Sequence, residues 1–298
     1  MPRRTAIGVD VGGTKIETAL VDLADGRILE RAVEPTPISG GRAGVVASIL
    51  DSVGRMRSRD DAQPLGVGIG LPELVGNDGR VSSAWNLDWS GFDAARDLGA
   101  LGRVKLESDV RAAALGEIRF GQGRNQPSMA YVTVGSGLSF AFAIDGRIHR
   151  GAAGFAIHFG SGDLMPVCGA CGAQTPFHLE GIASGRGLAR TYAARTGRTG
   201  VDAHAIVAGE AGREGETLLD QATTALASYL GQIANMLDPH VMVVGGGLGT
   251  APRFFGLLRD KFPTYVWAKT RKDLPLVPSA LGVDTGAVGA AALMDEAG

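Results

Sequence analysis

The chain has 298 residues, a formal net charge of -2 and a hydrophobic fraction of 45%, enough for two domains with sizeable cores. The balanced charge excludes a strongly basic surface of the kind that binds nucleic acid or an anionic membrane. No apolar run approaches the ~20 residues of a membrane span, and Arg3 and Arg4 precede no export-signal segment. We therefore expect a cytoplasmic protein with neither nucleic-acid nor membrane partners.

The first predicted element is a β-hairpin with a glycine-rich tip. An apolar strand that begins at Ile7 leads into Gly12-Gly13, and the alternating run at 16–22 forms the returning strand. Backbone N–H groups at such a turn can close on an anion because glycine lacks a Cβ. Asp10 lies just before the tip, where it could hold a divalent cation through its waters. Taken alone, an ordinary tight turn is the favoured alternative.

Helical and strand patterns alternate in the residues that follow. Apolar residues recur at helical spacing over 41–56, and 65–70 reads as a buried strand that ends before Pro72. A strand at 103–106 runs into an alanine-rich helix start at 107–117. This order predicts an α/β unit.

A second copy of the hairpin is predicted at 131–144. Its strands flank Gly135-Ser136-Gly137, and it ends in Asp145-Gly146-Arg147, as the first hairpin ends in Asp25-Gly26-Arg27. Chance similarity between glycine-rich hairpins is the alternative, but the matching turns favour duplication. Two related halves, each with such a hairpin, predict a nucleotide held between two domains.

The remainder begins with an irregular, glycine-rich region. Residues 151–185 contain both cysteines, Cys168 and Cys171, in C-x-x-C spacing. This is too few for a disulfide framework and indicates metal or redox chemistry. Helices and strands are predicted beyond this region at 201–208, 214–237, 241–244, 276–277 and 284–295.

Several short motifs are specific in combination, although each alone is weak. They are D-x-G-G-T-K at 10–15, S-D-x-x-A-A-A-L-G-E at 108–117, G-S-G at 135–137, R-G-A at 150–152, C-x-x-C-G…H-L-E at 168–180 and P-x-x-x-x-x-G-G-G at 239–247. With these motifs, nearly the whole chain resembles the ROK family of sugar kinases and sugar-responsive repressors, within the actin and hexokinase-like ATPases.

The resemblance implies an α/β, two-domain actin/hexokinase-like (ribonuclease H-like) fold with a cleft between the lobes. One lobe would comprise 1–115 with the C-terminal helix 285–298, and the other 116–284. Repressor members carry a helix-turn-helix domain before the first phosphate motif. That motif begins here at Ile7, so a kinase is implied, and family members commonly form homodimers.

For the nucleotide, the resemblance implies that Asp10 organises Mg²⁺ and that the two hairpin tips grip the phosphates of ATP. The third glycine run would let the adenosine approach the main chain, although a simple strand-to-helix turn is the alternative there. The implied ATP and Mg²⁺ residues are Asp10, Gly12, Gly13, Thr14, Lys15, Gly135, Ser136, Gly137, Gly245, Gly246 and Gly247.

Asp109 is the predicted general base. It follows a strand and opens a helix, so its carboxylate can accept the proton of a primary hydroxyl, and the resemblance puts the family's catalytic aspartate here. The alternative is a helix N-cap, a role that Ser108 could fill while Asp109 faces the substrate.

The implied sugar site departs from the family pattern. Ser108 stands where Asn is usual, Pro72-Glu73 where Pro-Gly is usual, and His158 where a sugar-binding Glu is usual. Glu180 keeps the second sugar-binding carboxylate. The predicted substrate residues are Glu73, Asn86, Ser108, Asp109, His158 and Glu180.

These departures predict an altered ring as the acceptor, such as an aminosugar (glucosamine or kanosamine) or a C7-cyclitol, rather than plain glucose. Asp88 adds a further acid close by in the sequence. The alternative is that Glu73 and Asp88 only face solvent. Polyphosphate as donor, and a non-catalytic sugar-sensing regulator of the same fold, are the other hypotheses.

A structural zinc ion is the last implied feature. Cys168, Cys171 and His178 match the family's cysteine-rich loop, predicted here over 158–180, with His178 in place of a Cys. Thiolate and imidazole both suit tetrahedral zinc. Ser161 replaces the usual His ligand, so a water or His158 would be the fourth. A loop without metal and a redox pair are the alternatives.

Overall fold

We describe the fold from a computed structural model, over residues 3–57, 63–83, 87–156 and 160–295. The chain divides into two units. The first unit comprises Met1–Pro127, Ala141–Ile157 and Val283–Gly298, and the second unit comprises Ser128–Phe140 and His158–Gly282.

The strands are β1 (Thr5–Val11), β2 (Lys15–Asp22), β3 (Ile28–Pro35), β4 (Val67–Leu71), β5 (Val104–Ser108), β6 (Ser128–Val134), β7 (Leu138–Ile144), β8 (Arg147–Ile148), β9 (Val241–Gly245) and β10 (Leu276–Pro278). The helices are α1 (Gly41–Arg57), α2 (Ala94–Asp97), α3 (Asp109–Phe120), α4 (Glu180–Ala183), α5 (Gly185–Thr196), α6 (Ala203–Ala208), α7 (Gly212–Leu237), α8 (Pro252–Lys261) and α9 (Thr285–Ala292).

The first sheet has the strand order β3-β2-β1-β4-β5. β1 pairs antiparallel with β2, which confirms the predicted hairpin, and parallel with β4. β4 pairs parallel with β5. The core of this unit includes Ile7, Val9 and Ile69, together with Ile49 and Val53 of α1, so the helical spacing read at 41–56 is confirmed.

The second sheet has the order β10-β9-β6-β7-β8. The strands β6 to β10 correspond in chain order to β1 to β5. With this correspondence, the second sheet has the same strand order as the first, read from the opposite edge. β6 and β9 are parallel, as β1 and β4 are. This shared topology supports the predicted duplication more strongly than the hairpin sequences do.

Small residues allow α9 to approach the first sheet closely. A Cβ at Gly8 of β1 would lie 1.8 Å from the carbonyl oxygen of Ala287, and a Cβ at Gly68 of β4 would lie 1.8 Å from that of Ala290. Real side chains never come this close to backbone, so both positions require glycine. The approach brings the start of α9 to the end of β1, beside Asp10.

Among the elements that were not predicted from the sequence are β3 and α5. β3 mixes charged and apolar residues and pairs only with β2 at the edge of its sheet. α5 begins at the N-cap Ser184, whose side chain accepts a hydrogen bond from Gly187 N. In the longer helix α7, predicted over 214–237, one apolar face is buried, and it is formed by Leu219, Ala222, Leu226, Leu230 and Ile233. Leu237 at the end of this helix is 39% exposed. Within the described ranges, no helix combines the length and the apolar character that crossing a bilayer needs.

Candidate active site

Asp10 and Asp109 come together in the first unit, at the carboxyl ends of parallel strands. Asp10 on β1 pairs with Gly70 on β4, and Asp109 directly follows β5. A Cβ at Gly70 would lie 3.8 Å from Asp10 Oδ1 and 3.5 Å from Asp109 Cα. Ligands of open α/β sheets bind at this edge, so the observed strand order places both carboxylates where chemistry is expected.

Both carboxyls titrate far above the ordinary range. Burial, then the negative charge of Asp10, raises the pKa of Asp109 to about 7, and the charge of Glu73 adds to this against a hydrogen bond from Val110 N. Burial and the charge of Glu17 raise the pKa of Asp10 to about 6, while Lys15 opposes the shift. Perturbed carboxyls of this kind mark functional sites, although ion-pair networks produce them too.

Lys15 and Arg31 hold the carboxylate of Glu17, which is only 1% exposed. Lys15 Nζ donates to Glu17 Oε2 at 3.0 Å, and Arg31 Nε lies 3.0 Å from Oε1. Asp10 faces Glu17 across the β1–β2 pair. Lys15 thus neutralises a neighbour of Asp10 here, and its predicted contact with ATP stays a prediction. Gly12 to Thr14 form the connection between β1 and β2, where Gly12 N donates to Lys15 O at 2.8 Å.

Gly286 in the first turn of α9 is a position where a side chain should disturb Asp10. A Cβ there would lie 2.3 Å from Asp10 Oδ2, and the short aspartate side chain has few ways to move. We expect Gly286→Ala to displace this carboxylate and to lower turnover at least tenfold, with an unfolding midpoint close to that of the parent. Steady-state kinetics with thermal denaturation checks this. Parental kinetics would contradict the contact.

Asp109 is the first residue of α3 rather than its cap. Ser108 occupies the N-cap position, but its side chain makes no capping hydrogen bond. Asp109 Oδ1 instead accepts a hydrogen bond from Val110 N at 2.6 Å. Ser108 is completely buried, and its Oγ has no hydrogen-bond partner in the described part of the chain. The segment therefore presents one carboxylate and one unsatisfied hydroxyl side by side.

Glu73 and Asp88 differ sharply in environment. Glu73 is 3% exposed, and its carboxylate accepts from Ser83 Oγ at 2.5 Å and from Leu87 N at 3.3 Å. The alternative that it merely faces solvent is therefore wrong. Asp88 does face solvent, and its Oδ1 accepts from Ser90 N at 2.8 Å. Asn86, the other predicted substrate residue nearby, lies outside the described residues.

In the second unit, the Gly135–Ser136–Gly137 connection between β6 and β7 lies against the start of α5. Gly185 N donates to Gly135 O at 2.8 Å, and Arg186 N donates to Ser136 O at 3.3 Å. Glu180 of α4 is close by, because a Cβ at Gly137 would lie 3.6 Å from Glu180 Oε1. A predicted phosphate loop and a predicted sugar carboxylate thus adjoin within one unit.

Ser161 on the irregular loop contacts the carboxylate of Glu180. Its Oγ donates to Glu180 Oε2 at 3.4 Å. His158, for which substrate and zinc roles were predicted, lies outside the described residues.

The three glycines at the end of β9 differ in whether a side chain could be accommodated at their positions. A Cβ at Gly245 would lie 2.0 Å from the hydroxyl oxygen of Tyr131, and Gly246 has φ +79° and would meet Val134 O at 2.4 Å. Packing and backbone conformation therefore require both glycines. Apart from its chain neighbours, no atom of the described residues lies within 4 Å of a Cβ at Gly247, so a ligand could approach the main chain there.

Cys168 and Cys171 are exposed free thiols on a tight turn, where Gly172 N donates to Cys168 O at 2.8 Å. Backbone N–H groups of Cys171 and then Ala170, followed by the Cys171 side chain, lower the pKa of the Cys168 thiol. Over the described residues, however, no three His, Cys, Asp or Glu side chains are arranged to hold a metal ion. The described side chains therefore do not form a complete set of zinc ligands. Zinc binding stays a prediction, and metal analysis of the undenatured protein would test it.

A buried ion pair beside the site was missed from the sequence. Arg111 on α3 is 1% exposed and donates through Nε to Glu107 Oε1 at 2.7 Å. Its Nη1 donates to Gly154 O at 2.6 Å, and its Nη2 donates to Val75 O. Because arginine is rarely fully buried, nothing at position 111 distinguished it from a surface residue.

Comparison with known proteins is consistent with this geometry. The sequence profile of the ROK family matches residues 6–297, and the chain belongs to that family. It is similar to a glucokinase of Streptomyces coelicolor, with 31% identity over 97% of each chain. It is also similar to the bifunctional enzyme NanE/NanK of Brucella melitensis, with 33% identity over 98% of this chain. This chain spans about half, 54%, of that relative's length.

Among solved structures, the chain resembles a ROK family glucokinase from Streptomyces griseus in complex with glucose and AMPPNP. The TM-score is 0.80 with 29% identity, and the match covers 97% of this chain and 98% of that one. The two-unit α/β fold is thus the actin/hexokinase-like fold, as the motifs implied.

Proposed function

We propose that the protein is a sugar kinase, transferring the γ-phosphoryl group of ATP to the primary hydroxyl of a hexose-like substrate. The observation that supports this most is the half-buried Asp109 carboxyl beside Asp10, with its pKa raised to about 7. A general base works best when its pKa lies near the working pH. The name of one similar protein, glucokinase, agrees with this reaction.

In the proposed mechanism, Asp109 accepts the proton of the attacking hydroxyl. Its place at the first turn of α3, held by the hydrogen bond from Val110 N, orients the carboxylate. The buried hydroxyl of Ser108 has no hydrogen-bond partner in the described part of the chain, and we propose that it binds the substrate or a water beside it. Phosphoryl transfer depends mainly on such positioning and on charge neutralisation.

Asp10 is the proposed Mg²⁺ residue. Mg²⁺ in nucleotide sites is bound through one or two carboxylates, waters and substrate phosphates, and a carboxylate whose charge is disfavoured by burial and by Glu17 fits that need. The bound ion would neutralise charge on the phosphates of ATP. Gly12 to Thr14, Gly135 to Gly137 and the open main chain at Gly247 are the proposed nucleotide contacts.

An aminosugar is the substrate class that these residues support best. Burial, and after it the negative charges of Asp10 and Glu73, raise the pKa of Asp109, so a substrate ammonium group near these acids would be stabilised. Sites that hydrogen-bond a particular substituent also reject analogues lacking it, because buried partners are left unpaired. Glu180 is proposed to bind sugar hydroxyls.

A coupled ADP-release assay tests the proposal across glucose, mannose, glucosamine, kanosamine, N-acetylglucosamine, N-acetylmannosamine and a C7-cyclitol. We expect the highest kcat/KM with a free aminosugar. A preference for glucose would overturn the substrate assignment while keeping the kinase. Replacing ATP with polyphosphate tests the donor. No phosphorylated product with any acceptor and either donor would overturn the kinase itself.

Glu73→Gln is the matched variant for the substrate assignment, since it removes the charge and preserves the size. We expect its kcat/KM for the aminosugar to fall at least tenfold more than its kcat/KM for glucose. Equal losses for both sugars would show that Glu73 does not recognise the amino group.

A further inference from the structure

A cavity of about 140 Å³ lies in the first unit, behind the β5–α3 junction. Since one water needs ~10–15 Å³ by this measure, the cavity has room for a polyatomic ligand. Its polar wall is formed by Glu107, Arg111, Arg147 and Arg150. None of these residues is assigned a role in phosphoryl transfer.

Arg147 comes to this wall through the second Asp-Gly-Arg turn. Asp145 and Gly146 both have positive φ, +50° and +73°, the backbone that a two-residue hairpin turn requires. Arg147 then starts β8, paired with Ile144 of β7. The turn that indicated the duplication in the sequence thus places the guanidinium of Arg147 at the wall of the cavity.

The charges around the cavity do not balance. Three arginines and one carboxylate line the cavity, and both oxygens of that carboxylate already accept hydrogen bonds. Glu107 accepts from Ser108 N at 2.8 Å and from Arg111 Nε at 2.7 Å, and its other oxygen pairs with Arg150. The side chain of Arg147 has no hydrogen bond or ion pair among the described residues. The wall therefore has a net charge of about +2 by formal count.

The three arginines differ in exposure, since Arg111 is buried, the side chain of Arg150 is 36% exposed and Arg147 is exposed. Arg111 is 1% exposed; burial lowers its pKa, and the charge of Arg150 lowers it further against the effect of Glu107. Arg111 and Arg150 share the carboxylate of Glu107, and like charges that share one acceptor are stabilised by an added anion. Arginine forks match phosphate oxygens particularly well, because guanidinium donors bind them in pairs.

We infer that this cavity binds a phosphate dianion, either free or as the phosphate group of a small phosphate ester, between Arg147 and Arg150. The remaining wall is apolar and includes Leu115 and Leu293, which leaves space for the carbon chain of an ester. Because Glu107 lies two residues before Asp109, the bound anion would brace the start of α3. The inference rests on the cavity and not on the proposed kinase activity.

Isothermal titration of the full chain tests this without any turnover. Inorganic phosphate and glycerol 3-phosphate are titrated separately at constant ionic strength in chloride, with and without magnesium AMPPNP to occupy nucleotide contacts. We expect one phosphate per chain to bind in the presence of AMPPNP. Arg147→Gln should weaken this binding at least tenfold. Arg124→Gln, at an exposed arginine of the same unit that does not line the cavity, should bind as the parent does.

The outcomes separate clearly. Tighter binding of inorganic phosphate identifies the free ion as ligand, and tighter binding of glycerol 3-phosphate identifies the ester. Absence of phosphate binding to the parent, or parental affinity in Arg147→Gln, overturns the site. If Arg147→Gln does not fold, Arg147→Lys decides: it keeps the charge but loses the fork, so binding weakened severalfold supports the site and parental binding overturns it.

Discussion

Replacing Asp109 with Asn should lower turnover about 10³-fold, which is within the range that a general base contributes, and should make the folded protein more stable. Both effects follow from the same environment. The carboxylate is held where its charge is disfavoured, beside Asp10 and Glu73. Asparagine keeps the size of the side chain but can neither accept the substrate proton nor bear a charge.

The stability gain has a defined pH window. The pKa of Asp109 is about 7 in the folded protein, against 3.8 as the reference value. Between these values the folded state binds more protons than the unfolded state, so parental stability falls as pH rises from about 4 to about 7. In Asp109→Asn this fall in the free energy of unfolding with rising pH should be absent. We expect the variant to be roughly 2 kcal/mol more stable than the parent at pH 8, a value that is reduced to allow for the solvent access of the side chain.

Denaturant unfolding at pH 5 and pH 8, with kinetics on the best acceptor, measures both effects. The acid limb of the parental kcat/KM profile should have an apparent pKa at or below about 7, because the protonated carboxyl cannot accept the hydroxyl proton. Asp260→Asn is a suitable control, at an exposed carboxylate 3.4 Å from the adjacent Arg259. Near-parental kcat in Asp109→Asn would contradict the base. A loss of stability at pH 8 would indicate a structural cap instead.

The sequence predicted the repeated hairpins and the helix start at Asp109 because these features are local. Glycine pairs, period-2 alternation and alanine-rich helix starts are determined by neighbours along the chain. The edge strand β3 was missed because its charged residues, among them Glu30, Arg31 and Glu34, resemble those of a loop. Charged residues are what protects a sheet edge from pairing with other chains.

The burial and packing of individual residues could not be predicted from neighbours along the chain. Glu73 and Asp88 are both acidic residues near turns, yet one is buried and the other exposed. Gly245 and Gly247 belong to one run, yet only Gly245 is required by packing against Tyr131. Such differences depend on contacts between distant segments, which a single sequence does not record. Arg111 is the strongest example, because its partners include the carbonyls of Val75 and Gly154.

Arg111→Met is expected to destabilise the protein by about 3–5 kcal/mol, the usual result of removing one member of a buried pair. The side chains of Arg111 and Glu107 are 0% and 2% exposed, so the variant leaves a carboxylate in the interior with Arg150 as its remaining charged partner. It also leaves two buried carbonyl oxygens without their donor, and unsatisfied groups of this kind cost about 1–3 kcal/mol each.

The double variant Arg111→Met/Glu107→Gln separates charge from packing. Because the double variant has no buried carboxylate without its arginine partner, its loss of unfolding free energy should be smaller than the summed losses of the two single variants. Such coupling is expected for residues in direct contact. Arg96→Met is the matched control, since Arg96 pairs with the adjacent Asp97 at 2.7 Å and its side chain is 64% exposed. Exposed pairs contribute about 0–1 kcal/mol, so this control should unfold nearly as the parent does.

A second readout tests whether Arg111 also positions the site. It connects α3, two residues beyond Asp109, to the carbonyl of Val75, two residues beyond Glu73. At a temperature where Arg111→Met remains fully folded, kcat should still fall, because the segments bearing both acids are no longer held together. Arg111→Lys retains the charge but not the fork and should recover only part of this loss. Parental kcat in folded Arg111→Met would limit the role of the ion pair to stability, and destabilisation below about 1 kcal/mol would contradict its burial.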